Sequence, residues 1–312
     1  MIDAHRPLAS ASNPAIDTKS SSRRWDGMID PGSSLRTSAK RNIVRQVRAL
    51  FNDGARAEQP VARSNDALFR PDSIIWRVHG DVTTMMIGGV SALLLQMLHP
   101  AVLAGVWDHS NFRADLVGRL RRTARFIAIT TYGDRDEASA AIARVRDVHS
   151  RVAGTLPDGT AYKADDPQLL AWVHLTEAWS FLAAWQQYGS RRLSPAQQDR
   201  YYSEFATIGA AIGANAVPYD RIGAAGALDG MRSRLVADHR THDVARLVLG
   251  HMPDNPLAIP LQRVTMLAAV DLLPAWARQM HRLTASPPLV RPLVGMGALG
   301  VAATLRWAFT SA

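Results

Sequence analysis

The sequence predicts an all-α protein, a single globular multi-helix domain preceded by an N-terminal tail. From residue 71 onward, apolar residues recur with the three- and four-residue spacing of one helix face. No segment alternates polar and apolar residues as a half-buried strand does, and neither a hairpin signal nor an internal repeat is visible. The chain of 312 residues is 47% hydrophobic, which is enough for one large core.

The N-terminal segment differs in composition from the rest of the chain. Residues 1–38 are rich in Ser, Asp, Arg and Pro and lack apolar periodicity, so we expect a disordered basic tail there and the helical domain over 39–312. The net charge is +9, and residues 1–70 hold twelve Lys and Arg against seven acidic residues. The remaining basic residues are scattered among acidic ones with no recognition motif, so no nucleic-acid partner is predicted.

Helix start and stop signals follow one another along the domain. A short amphipathic helix is predicted over 38–51, and the segment 83–98 is apolar on nearly all faces, which predicts a buried helix that Pro100 ends or kinks. Caps, first-turn prolines and terminal glycines predict further helices over 113–132, 134–154, 166–189, 194–213, 221–237, 241–250, 260–285 and 289–309. The segment 156–167 is expected to be a loop.

Several classes of site and location are excluded by what the sequence lacks. There is no cysteine, which excludes disulfides, thiolate metal sites and cysteine nucleophiles. No apolar stretch follows Arg23 and Arg24, so we expect no secretion signal and a cytoplasmic protein. The apolar run between Arg291 and Arg306 has about 14 residues, too short for a transmembrane segment, and predicts a buried helix or one lying on a membrane surface. The oligomeric state stays open.

Histidines on helices are the remaining candidates for chemistry. Neither His-Glu-x-x-His nor paired Glu-x-x-His occurs, so a zinc hydrolase or di-iron site is not predicted. The five histidines of interest are His79, His99, His109, His149 and His174. A neutral imidazole inside an apolar helix, as at His174, suits an axial bond to haem iron, with Arg122, Arg125, Arg144 and Arg146 as cations for the propionates. The same spacing also fits a hydrogen-bonded core histidine, and both interpretations stay open.

Three ordered blocks carry a resemblance to a known family. They are "GGVSALLLQMLHPAVLAGVWDHSNF", "RLRRTARFIAITTYGDRDEASAAIARVRDVHSRVAG" and "YKADDPQLLAWVHLTEAWSFL". Over about residues 70–285 the chain resembles the rubber-oxygenase catalytic domain family, which includes the latex clearing proteins and the oxygenases of mycophenolic acid biosynthesis. The resemblance implies an all-helical fold with a globin-like core and haem b as the cofactor.

The resemblance also implies roles for particular residues. His174 matches the helix histidine that ligates iron in latex clearing proteins. Arg146, His149 and Ser150 match their distal Arg-x-x-Lys-Thr motif, with histidine in place of lysine and serine in place of threonine. The chain is therefore expected to be a haem-b oxygenase in which His174 binds the metal and the other three act on bound dioxygen.

Further expectations concern the pocket and the substrate. The predicted cofactor-binding residues besides His174 are His99, His109, Arg122, Thr123 and Arg125. Because Pro100 places His99 at a helix end, its ring is expected to bond a backbone carbonyl or a propionate. A chain without a secretion signal is expected to oxidise a small lipophilic substrate, in the cleaving relatives an alkene, rather than an extracellular polymer. Two alternatives stay open: a non-catalytic dioxygen-binding protein with bis-histidine haem through His149, and a helical binding protein without haem.

Overall fold

A computed structural model describes residues 37–45, 58–253 and 255–310 of the chain, except the side chain of Leu257. Within these ranges the chain forms thirteen α-helices and one two-stranded hairpin, which confirms the all-α class. The predicted tail lies outside the described residues apart from positions 37 and 38, which belong to a helix. The division into tail and domain, and the globin-like core, stay predictions.

The N-terminal half runs from the first helix to the hairpin. Its helices are α1 (37–45), α2 (Ile74–His79), α3 (Val82–Gln96), α4 (Pro100–His109), α5 (Leu116–Tyr132) and α6 (Arg135–Ser150). As predicted, Pro100 separates two helices, and the chain bends by 104° between α3 and α4. Strands β1 (Ala153–Thr155) and β2 (Ala161–Lys163) follow and pair antiparallel, with Gly154 opposite Tyr162.

The C-terminal half is helical in all its regular elements among the described residues. Its helices are α7 (Pro167–Tyr188), α8 (Pro195–Ile212), α9 (Arg221–Gly230), α10 (His239–Gly250), α11 (Ile259–Leu272), α12 (Ala275–Met280) and α13 (Arg291–Phe309). Helices α3 and α7 pack along each other at the centre, and α11 and α13 cover α3. Because α3 has no charged residue and α7 has only Glu177, both can be surrounded by other helices without burying several charges.

Several predicted elements differ from the observed ones. The helix expected over 134–154 ends at Ser150, and the helix expected over 221–237 ends at Gly230 and is followed by a 3₁₀ turn at Arg232–Arg234. The loop expected over 156–167 is in part a hairpin, whose Pro157–Gly159 turn has Gly159 at φ +88°, and the Pro-Asp-Gly sequence is its signal. The helix expected over 260–285 is broken at Pro274 into α11 and α12, since proline lacks the N–H that would continue the helix.

Helix α13 is longer than the apolar run predicted there. Among the described residues it is the one continuous helix long and apolar enough to cross a membrane by length and composition, and the bent pair α3–α4 would count as a second. Only 28% of the α13 segment is buried in the protein. Val294, Ala298 and Ala302 face the core, whereas Leu293 and Met296 are exposed. The prediction of a buried helix is therefore confirmed for one face only.

Candidate functional site

His174 lies on α7, in the buried centre of the molecule. Asp166 caps this helix by accepting hydrogen bonds from the backbone N–H groups of Gln168 and Leu169, and Pro167 occupies its first turn. The His174 side chain is 3% exposed. Burial lowers its pKa to about 4, so the imidazole is neutral at pH 7 and carries a lone pair on one ring nitrogen.

Helix α8 packs directly against the His174 ring. The ring of Phe205 lies with its centroid 4.3 Å from that of His174. A Cβ at Gly209 would lie 2.9 Å from His174 Nε2, and Val217 would contact the same Cβ at 2.9 Å. No hydrogen bond to His174 is present among the described residues. The Nε2 atom therefore faces a position that only glycine can occupy.

His79 also lies against Phe205 and has a different hydrogen-bonding environment. Its Nδ1 lies 2.8 Å from Thr131 Oγ1 and its Nε2 lies 3.1 Å from Tyr201 Oη, so both ring nitrogens have partners. The His79 and Phe205 ring centroids are 5.2 Å apart. Burial, and then the nearby His174, lowers the pKa of His79 to about 3. His79 is a neutral, fully bonded core histidine, a role that the sequence could not distinguish from that of His174.

The predicted distal residues lie on α6, which α8 also contacts. Arg146 Nη1 donates to the Ala211 carbonyl of α8 at 3.3 Å. Ser150 Oγ donates to the Asp147 carbonyl of its own helix at 2.9 Å and is exposed. His149 Nδ1 is buried with no partner among the described residues. The C-terminal turns of α8 thus contact both the predicted axial ligand, at Gly209, and the predicted distal arginine, at Ala211.

Arg119 is a neighbour of His149 that the sequence interpretation missed. Burial lowers the pKa of His149, the carboxylate of Asp165 raises it, and the charge of Arg119 lowers it. The pKa of Arg119 is itself lowered by burial and by the charge of Arg122. Its position in the sequence could have indicated it, because Arg119 lies on the same helix as Arg122 and Arg125, less than two turns before them.

The residues predicted to hold propionates form bonds elsewhere. Arg122 pairs with Asp115 at 3.2 Å, Thr123 Oγ1 donates to the Arg119 carbonyl, and Arg125 donates to the Gln59 carbonyl. These bonds stay within α5 and its N-cap or reach the segment before α2, and none reaches α7. Arg144 is exposed on α6. The structure therefore does not bring this arginine set to His174, and a cofactor role for these residues stays a prediction.

His99 and His109 lie at the two ends of α4. His99 is the N-cap residue, and its Nδ1 is buried without a partner among the described residues, so the expected bond to a backbone carbonyl is not formed by that nitrogen. Burial and the charge of Arg234 lower the pKa of His99, while Asp166 raises it. His109 is exposed, with its ring 6.4 Å from that of Tyr162.

Glu177, one turn after His174, is a half-buried carboxyl group on α7 that the sequence interpretation missed. Burial raises its pKa to about 7, and a hydrogen bond from the Gln96 side chain opposes this. The sequence signal for Glu177 was that it is the only charged residue in a largely apolar helix.

Among the described residues, neither a metal-ligand cluster nor one of the two surface cavities below includes this site. No group of three or more His, Cys, Asp or Glu side chains that could hold a metal ion occurs in the described part of the chain. Two surface cavities, of about 580 and about 440 Å³, are lined by residues around Trp276 and around Trp76. Neither cavity is lined by His149 or His174.

The comparisons with known proteins decide the family. Residues 76–307 match the model of the family described as ER-bound oxygenase mpaB/B'/Rubber oxygenase, catalytic domain. The chain belongs to this family. The match confirms the resemblance and extends it through α13, and the family is an oxygenase catalytic domain. No curated protein and no solved structure matches the chain.

Proposed function

We propose that this chain is a haem-b-dependent oxygenase in which His174 would hold the haem iron. The observation that carries the proposal is the state of the His174 ring: buried, neutral, and without a hydrogen-bond partner among the described residues. Of the other buried histidines, His79 has partners on both nitrogens, and His281 bonds the Leu94 carbonyl at 2.8 Å through Nε2 while its Nδ1 has no partner among the described residues. An unbonded neutral imidazole is what iron ligation requires.

The surroundings of His174 fit an iron ligand in chemistry but leave no room for a macrocycle in the described packing. Phe205 and Gly209 lie against the ring, and the segment after α8 packs there through Val217. Haem uptake would therefore require the C-terminal turns of α8 to move away from α7. The same displacement would break the bond between Arg146 and the Ala211 carbonyl and release the arginine that the family resemblance places on the distal side.

The proposed roles of this chain's residues follow from these contacts. His174 would hold the haem, whose iron supplies the binding and activation of dioxygen. His149, with its buried unpartnered Nδ1, would donate a hydrogen bond into the distal side, and Arg146 would add positive charge. Apolar residues of α3, α7 and α8 would exclude water and accommodate a small lipophilic substrate. The family name supports oxygen chemistry on an unsaturated hydrocarbon.

The test is the absorption spectrum of the purified chain, before and after addition of haem, in ferric and ferrous states. We expect a Soret band that His174→Ala abolishes and that His174→Gly regains when imidazole is added. His281→Ala is the matched control, because it removes an imidazole that is also 3% exposed but already has a backbone partner. An unchanged Soret band in His174→Ala would refute the ligand assignment, and wild-type protein that takes up no haem would refute the proposal.

A further inference from the structure

The outer face of α13 is an apolar surface that no described residue covers. Leu289, in the loop before the helix, is 90% exposed, and Leu293 and Met296 are each 60% exposed. The exposed residues on this side of the helix are together called the α13 face. They are Leu289, Leu293, Met296, Gly300, Ala303, Thr304 and Trp307. Thr304 Oγ1 donates to the Gly300 carbonyl at 3.0 Å, so the one hydroxyl group of the face is already bonded.

The α13 face carries no charge along its length. Residues 292–305 include no ionisable side chain, and the arginines at the two ends each bond another part of the protein. Arg306 Nε bonds Asp81 Oδ2 at 2.6 Å, and Arg291 Nη2 donates to the Asp271 carbonyl at 3.3 Å. A contiguous exposed apolar surface of this kind marks a site of interaction rather than ordinary protein surface.

Basic side chains lie next to α13 at two places. Lys40 of α1 lies 5.1 Å from the Trp307 ring centroid and donates to the Thr310 carbonyl, with Arg41 exposed beside it. On α11, Val264 packs against Gly297, and the neighbouring Arg263 is exposed.

Acidic groups are scarce on the same side of the molecule. Residues 259–310 contain five arginines and one acidic residue, Asp271, which is buried and accepts a hydrogen bond from the backbone N–H of Ser286. Described helix α1 has two exposed arginines and no acid. The α13 face is therefore apolar at its centre and positive at its rim.

We propose that the α13 face docks on an anionic lipid bilayer, with the helix lying in the membrane interface. Apolar residues on one side, cations beside them and a tryptophan at the end of the helix are the features of interfacial helices. The inner side of α13, through Val294, Ala298 and Ala302, stays packed on the protein, so the helix lies on the bilayer and does not cross it. A second copy of the chain is the weaker occupant, because a symmetric contact would bring the two positive rims together.

Flotation of the full chain with lipid vesicles tests this inference independently of the proposed oxygenase function. We expect the protein to float with vesicles of phosphatidylcholine mixed with phosphatidylglycerol, to bind phosphatidylcholine alone weakly, and to be released in part by added salt. The double substitution Leu293→Glu with Met296→Glu is expected to lower vesicle partitioning by about tenfold or more, because it places two charges in the face that would be buried in the bilayer.

Two further variants make the result specific. Ile222→Glu is the matched control, because Ile222 is 74% exposed on α9 and lies outside the α13 face; its partitioning should equal that of the wild type. Lys40→Gln with Arg41→Gln should reduce the preference for anionic vesicles and leave binding to neutral ones unchanged. Circular dichroism melts of all variants establish that each one is folded.

Three outcomes would overturn the inference. Wild-type protein could remain at the bottom of the gradient with anionic vesicles. Ile222→Glu could reduce flotation as much as the double substitution does. Analytical ultracentrifugation could show a wild-type dimer that Leu293→Glu with Met296→Glu dissociates, which would assign the face to a second copy of the chain.

Discussion

His79 and His174 both lie against Phe205 and differ in one respect that separates a structural histidine from a candidate ligand. Both rings are buried and neutral, and both contact Phe205. Thr131 and Tyr201 bond the two nitrogens of His79, whereas no described residue bonds His174, whose Nε2 faces Gly209. With no hydrogen bond from a described residue, the neutral imidazole of His174 is available to a bound group, which is the basis of its proposed role as a ligand.

Replacing each of the two histidines by alanine should have the largest effect on stability and should distinguish their roles most clearly. His79→Ala leaves the buried hydroxyl groups of Thr131 and Tyr201 without a hydrogen-bond partner. It should therefore lower the free energy of unfolding by about 3 kcal/mol. His174→Ala leaves a cavity but no orphaned partner, and should cost about half as much. Guanidinium unfolding followed by circular dichroism measures both, with exposed His109→Ala as the control. Equal losses for His79→Ala and His174→Ala would contradict the difference in bonding.

A methyl group at position 209 tests the close approach of α8 to His174. Gly209→Ala should destabilise the protein by about 2 kcal/mol, because the new Cβ would lie 2.8 Å from His174 Cδ2. Combined with His174→Ala it should cost less than the sum of the two single changes, with a coupling of about 1 kcal/mol. The control is Gly226→Ala in α9, where a Cβ meets nothing within 4 Å and should stabilise by about 0.5 to 1 kcal/mol. Additive losses in the double variant would show that the two positions do not touch.

The pH dependence of stability should separate the buried histidines from Glu177. The pKa values of His79 and His174, about 3 and about 4, lie below the ordinary value of 6.5, so the unfolded chain binds more protons and stability falls as the pH drops below about 6.5. Each histidine contributes up to about 1.4 kcal/mol per pH unit. Glu177, with its pKa raised from 4.5 to about 7, opposes this, because its neutral form is favoured in the folded state.

Denaturant midpoints between pH 7 and pH 5 measure this balance. Glu177→Gln should steepen the loss of stability on acidification, since it removes the opposing group. His79→Gln should flatten the loss. If both variants keep the wild-type slope, the pKa shifts of these groups do not govern the acid stability of the protein.

The smallest expected effect concerns the turn that places Val217 beside His174. Ala216 has φ +51°, a left-handed conformation that costs an alanine about 1 kcal/mol and a glycine almost nothing. Ala216→Gly should therefore raise the thermal midpoint slightly, with a gain of about 0.5 kcal/mol after the larger entropy of the unfolded glycine chain is counted. A lower midpoint would mean that the alanine methyl group makes contacts worth more than the strain. Haem titration of this variant should match that of the wild type.

Much of the fold could be predicted because its signals are local. Pro100, the Asp166 cap and the Ser194 capping box lie at helix boundaries where short-range hydrogen bonds and proline stereochemistry decide the outcome. The hairpin after α6 was missed, although its Pro-Asp-Gly turn is local, because its three-residue strands are too short to show an alternating pattern. The propionate arginines were chosen from their position on α5, and position along a helix does not determine which partner a long side chain finds.

The sequence by itself determined the helical class, the family and the buried position of His174, because periodicity, caps and ordered motifs act over short stretches of chain. Only the tertiary structure decided which buried histidine is bonded and which is not, since Thr131 and Tyr201 reach His79 from helices 52 and 122 residues away along the chain. It also decided that one side of α13 is covered and the other exposed. An apolar helix looks the same in sequence whichever of its faces finds a partner, and that choice depends on contacts between distant segments.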